Sequence, residues 1–133
     1  MKERLRRPST RHERREVCFL IGKGGAILWS DASDSPVALP DSRARWEAIW
    51  NSREELEVIA HSHPVGPAAF SAEDTSTMEA LDSALGKPVK YVVVAPTKTI
   101  SRQGDTQPDE DVSPEPWWVA LLRLASGMQK ESR

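Results

Sequence analysis

Between Val89 and Pro96 the chain reads "VKYVVVAP", the clearest buried strand in the sequence. β-Branched residues crowd it, and they favour extended backbone. A buried strand needs neighbours, and the rest of the chain supplies them. Val17 to Ile21 ("VCFLI") and Ala26 to Ser30 ("AILWS") flank the turn signal "GKGG" and read as a hairpin. Leu56 to Ala60 ("LEVIA") is a further strand, and "TKTISRQ" is a short partner after Pro96. Helical patterns lie between them. Asp41 or Ser42 can cap a helix running to about Asn51, with Trp46, Ile49 and Trp50 on one apolar face that packs on the sheet. Ser71 opens a second helix, in which Met78, Leu81 and Leu85 recur at spacings of three and four before Gly86 closes it. Trp117 to Met128 forms a last amphipathic helix. "DASDSPVALP" and the acidic, Pro-rich "GDTQPDEDVSPEP" read as loops. The order β-β-α-β-α-β-β-α predicts an α/β fold, a single-domain mixed sheet flanked by helices.

A length of 133 residues suits one domain with a core of its own. Its net charge of −2 is unevenly placed. Residues 1–15 carry seven Lys/Arg against Glu3 and Glu13, whereas the other 118 carry eleven basic against eighteen acidic residues. The division expected is therefore a basic N-terminal arm over 1–15 and the folded domain over 16–133. No basic patch with interleaved aromatics follows the arm, so nucleic acid is not an expected partner. No apolar run approaches the roughly 20 residues that span a bilayer, and the N-terminus lacks the apolar core of a secretory signal. The single cysteine, Cys18, rules out an intrachain disulfide framework and any zinc site built from several thiolates. Cytoplasmic location is the expectation.

The chain has three histidines, and two of them stand one residue apart in "HSHPVGPAAFSAED", His61 to Asp74. On extended backbone, residues i and i+2 project to one side, so His61 and His63 can reach one ion. Pro64 then turns the chain away, and Asp74 falls in the first turn of the next helix. Two neutral nitrogens and a carboxylate leave a fourth position open, the pattern of a catalytic zinc site. Ser71 and Asp74 also form a Ser-x-x-Asp capping pattern, which explains both without metal but leaves the histidines unexplained. A deaminase would need a Pro-Cys-x-x-Cys and a zincin a His-Glu-x-x-His, and neither is present.

His-x-His, seven residues, Ser, two residues, Asp matches the JAMM (MPN+, JAB domain) zinc metalloprotease motif, and His61 to Pro64 repeats its usual "HSHP" form. The chain resembles the minimal bacterial form of that family. The resemblance implies the JAMM/MPN fold, a cytidine-deaminase-like α/β/α sandwich. It implies one Zn²⁺ per chain on His61, His63 and Asp74, with Ser71 hydrogen-bonding the oxyanion. The family also places a glutamate at the edge of the first strand, in Glu-x-x-Gly-x-x-x-Gly. Here "EVCFLIGKGG" offers Glu16 as the general base, with Phe19 where the first glycine is expected and Gly22 one residue early. Glu13 is the alternative. Zinc lowers the pKa of bound water towards about 7, and a nearby carboxylate can take its proton and return it to the leaving amine.

The activity implied is that of a zinc peptidase or isopeptidase acting after the C-terminal tail of a ubiquitin-like protein. Such a deubiquitinase-like enzyme would deconjugate or process precursors, as in bacterial antiphage ubiquitin-like systems, with conjugation-system enzymes as further partners. Tails ending Gly-Gly would suit a narrow groove. Maturation of sulfur-carrier or phage tail proteins is the alternative setting. A non-catalytic MPN scaffold is the alternative class.

Overall fold

The structure, a computed structural model, describes residues 14–104 and 109–128. The elements run β1 (Val17–Gly22), β2 (Ile27–Ala32), α1 (Arg43–Asn51), β3 (Leu56–Ser62), α2 (Ala72–Leu85), β4 (Lys90–Val94), β5 (Thr99–Gln103), β6 (Glu110–Asp111) and α3 (Trp117–Ala125). The six strands form one sheet in the order β2-β1-β3-β4-β5-β6. β3 and β4 pair in parallel and every other pair is antiparallel, so the sheet is mixed as expected.

Strand alternation sends side chains to two cores. Cys18, Leu20, Ile59 and Tyr91 face α1 and α2 and pack with Ile49 and Met78. Val17, Phe19, Ile21, Ala60, Val92 and Val94 face the other way and pack with Trp118, Val119 and Leu122 of α3. The sheet is thus covered on both faces, in the α/β/α arrangement. Phe19, the residue that breaks the glycine pattern, lies in the α3 core on the opposite face from the histidines.

Local signals act where they were read. Ser42 caps α1 by accepting from the Arg45 N–H, and Gly86 ends α2 in the left-handed conformation. The β1–β2 turn needs glycine at position 25, where φ is +81° and an added Cβ would lie 2.9 Å from the Trp117 indole nitrogen.

Three readings are corrected. Ile49 is buried and Trp46 packs against the core, but Trp50 is 51% exposed and carries the Arg53 guanidinium 3.9 Å from its ring centre. The acidic stretch after Gly104 is not all loop, since β6 pairs with β5 and Glu115 accepts from Thr99 and Arg123. A buried guanidinium needs such a partner, and composition alone hides it. α3 closes at Ala125, three residues before Met128. Of the basic arm, Arg14 and Arg15 are described, and Arg15 donates from backbone and side chain to the carbonyls of Ser126 and Ala125. The rest of the arm, with His12 and Glu13, lies outside the described residues. Among the described residues no helix is long and apolar enough to cross a membrane.

Candidate metal centre

The site lies where β3 ends. β1 and β3 pair antiparallel with Cys18 opposite His61. Continuing that register sets Glu16 level with His63. Glu16, Cys18, His61 and His63 therefore share one face, the face covered by α1 and α2. Ser62, between the histidines, must point the other way. It is fully buried there, and its Oγ accepts the Val17 N–H at 2.9 Å. On the opposite side, the Glu16 N–H donates to Ser35 O and the Ser33 N–H donates to Glu16 O, each at 2.9 Å. The backbone of the candidate base is thus held from both edges.

The loop after Pro64 folds back and brings in α2. Ser71 and Asp74 form a reciprocal capping box. Asp74 N–H donates to Ser71 Oγ at 3.0 Å, and Ser71 N–H donates to Asp74 Oδ2 at 2.9 Å. The same Oδ2 stands 3.5 Å from His61 Nε2. Capping and convergence on the histidines are therefore done by one carboxylate oxygen, and the two readings of Asp74 hold together. Ser71 Oγ uses a lone pair for the cap and keeps its hydroxyl hydrogen available.

Do these groups fit a metal? His61 Nε2 and His63 Nε2 are 3.1 Å apart. One ligand atom from each of His61, His63 and Asp74 lies within 4.8 Å of the others. Zinc bonds of about 2.0–2.1 Å in a tetrahedron put neighbouring ligand atoms about 3.3–3.4 Å apart, a separation that the 3.1 and 3.5 Å contacts bracket. The tautomer fits as well. His63 Nδ1 is 3.0 Å from Pro67 O, and a carbonyl only accepts, so Nδ1 carries the hydrogen. That leaves a lone pair on His63 Nε2, aimed at the other two groups. Burial first, then the neighbouring His61, lowers the His63 pKa and keeps the ring neutral, against the opposing pull of Pro67 O and Asp74. Burial alone would raise the Asp74 pKa, but its bond and attraction to His61 and the two Ser71 bonds hold it at about 2. A neutral His63 ring and an ionised Asp74 carboxylate are forms that bind a metal cation.

Glu16 is only 7% exposed. Burial raises its pKa from 4.5 to about 7, with the His61 charge opposing and Asp74 reinforcing the rise. Cys18, beneath His61, is a different case. Burial pushes its thiol up to about 12, with Arg45 opposing, so it remains a neutral thiol and stays out of the ligand set.

All five residues singled out from the sequence line one cavity. Sequence reasoning missed Ser62 and the 33–41 segment. The first was inferable, because a residue between two same-facing histidines must enter the core and a buried hydroxyl needs a partner. The second carried no signal beyond loop composition. It also missed Arg102, whose guanidinium lies 4.8 Å from the Phe70 ring centre and donates to Thr75, bracing the start of α2.

A family described as prokaryotic homologs of the JAB domain matches residues 1–107, a span that holds β1 to β5 and every candidate site residue. No curated protein matches the chain.

Proposed function

The chain belongs to the prokaryotic homologs of the JAB domain, a family that includes the JAMM metalloproteases, and from that premise we propose that it is a zinc-dependent peptidase or isopeptidase. One observation carries the reading. Three ligating atoms converge at the end of β3, and a buried carboxyl group with a pKa of about 7 faces the same cavity. A scaffold needs neither the convergent donors nor a buried acid held at both backbone edges.

His61, His63 and Asp74 would hold the ion. Bound there, zinc would supply Lewis-acid polarisation of the substrate carbonyl and acidify the attacking water. Glu16 takes a proton from that water as its oxygen bonds to the carbonyl carbon. The same carboxyl then delivers the proton to the amide nitrogen as the C–N bond breaks. Burial raises the pKa of Glu16 and the bound ion would lower it again, which suits a group that must both accept and donate. The Ser71 hydroxyl donates to the carbonyl oxygen as negative charge develops on it. The cap fixes the position of that hydroxyl before substrate arrives. The substrate class proposed is the extended C-terminal tail of a ubiquitin-like protein, free or conjugated.

The test uses the zinc-loaded chain on a ubiquitin-like fusion. Hydrolysis by the parent, with zinc retained and turnover lost in Glu16→Gln, is the expected result. Equal turnover by the parent and Glu16→Gln would move the base elsewhere. Parent protein that holds stoichiometric zinc but cleaves no peptide would leave a scaffold.

A further inference from the structure

The candidate ligands His61, His63 and Asp74 line a cavity of about 510 Å³. Much of its remaining lining is apolar. Leu39 of the 33–41 segment, Trp46 of α1, Phe70, and Leu81 of α2 line it and are all only partly buried. Val37 and Val65 stand exposed at its rim. The one guanidinium in the lining, Arg45, is already committed, donating to both Asp31 oxygens at 3.2 and 2.9 Å and to Pro40 O at 3.0 Å. That bond to Pro40 also pins the 33–41 wall, as Arg102 pins the Phe70 wall.

We propose that this cavity is the specificity pocket of the site. It takes a bulky apolar side chain, of leucine, methionine or phenylalanine size, from a substrate residue flanking the scissile amide. The inference rests on the peptidase reading above and makes its substrate class narrower. The occupant is argued from continuity, because the other walls of the cavity adjoin His61, His63 and Glu16 and are within reach of a residue flanking an amide held there. The volume lies in the range of sites that enclose a small ligand, and the lining mixes apolar side chains with a smaller share of polar ones, as such sites do. The cavity is wider than the narrow groove expected for a Gly-Gly tail, and glycine on both sides of the scissile bond would leave its apolar walls against water, whereas an apolar side chain on one side would remove them from it. An anionic side chain finds no uncommitted cation in the lining and meets Asp41 and Glu73 there.

The experiment begins with the full, metal-free chain, titrated separately with N-acetyl-leucinamide and N-acetylglycinamide under amide-resolved NMR. The leucine probe should bind about tenfold tighter or more, shifting the Trp46 indole and the Leu39 and Phe70 amides. Thr77→Trp and Ala38→Trp, at exposed lining positions outside the catalytic groups, should each weaken it by roughly tenfold at unchanged Tm. Equal binding of the two probes, or shifts confined to other surfaces such as the outer face of α3, would overturn the assignment. The zinc-loaded chain is then given peptides that differ only in leucine or glycine on one side of the scissile bond, each side in turn. Faster cleavage of a leucine peptide supports the pocket. Glycine cleaved equally well on both sides overturns the pocket and leaves the peptidase reading intact. Selective leucine binding with no cleavage of any peptide removes the reaction while supporting the cavity's apolar selectivity.

Discussion

Replacing Glu16 by glutamine should change how the stability of the metal-free protein depends on pH. Burial raises the Glu16 pKa from 4.5 to about 7, an upward shift of a carboxylic acid. The folded protein therefore holds this proton more tightly than the unfolded chain does. The stability linked to it is fully present below about pH 4.5 and is lost as pH rises through about 7. Moving the carboxyl pKa from 4.5 to about 7 corresponds to about 3 kcal/mol across that window. For a chain of this size that is roughly 10 °C in Tm. Glutamine fills nearly the same space and does not titrate, so Glu16→Gln should escape the loss. Urea unfolding of parent and variant, both stripped with chelator, would be followed from pH 4.5 to 8. Ionisable groups that do not interact with Glu16 contribute equally to both proteins and drop out of the difference. The variant should gain on the parent steadily across the window. Zinc should shrink the gap, because a dication on the three ligands favours ionised Glu16. Parallel pH profiles for the two metal-free proteins would show that Glu16 is not held in a desolvated position, and the base assignment would lose its physical footing.

Metal analysis should find one zinc per chain in the parent and none at stoichiometric level in the His61→Ala/His63→Ala double variant; full occupancy in the double variant would refute the ligand set. Ser71→Gly should melt near the parent temperature, since glycine at a cap costs only a few tenths of a kcal/mol. It should also keep its zinc while kcat falls on the order of 10²-fold. Parent-like turnover would reduce Ser71 to a cap. Ser62→Ala strands the buried Val17 N–H and should lower stability by about 1–3 kcal/mol, read by thermal melting and by faster hydrogen exchange at Val17. Unchanged exchange there would mean that the Val17 N–H does not depend on the Ser62 hydroxyl.

The sequence by itself determined the element order, because hydrophobic period and turn chemistry are local properties. The valines of β4, the glycine turn between β1 and β2, and the caps at Ser42, Ser71 and Gly86 all act within a few residues of themselves. It also put His61 and His63 on one side of a strand, since i and i+2 leave no other choice on extended backbone. Tertiary structure decided what those histidines face. The pairing of β1 with β3, and its register of Cys18 on His61, brings Glu16 beside them across 45 residues of chain. Whether two strands pair is settled by the whole core, not by either strand. The fold-back of the Pro64–Phe70 loop similarly turns a capping aspartate into a candidate ligand. Trp50 shows the reverse case. Its spacing from Trp46 placed it with the apolar face, yet it lies at the edge of the stripe that α1 buries and is left to Arg53 and solvent. The cavity belongs wholly to the tertiary level. Its walls come from the 33–41 segment, α1, the sheet and α2, and no local pattern records the space left between elements that meet only when the chain is folded.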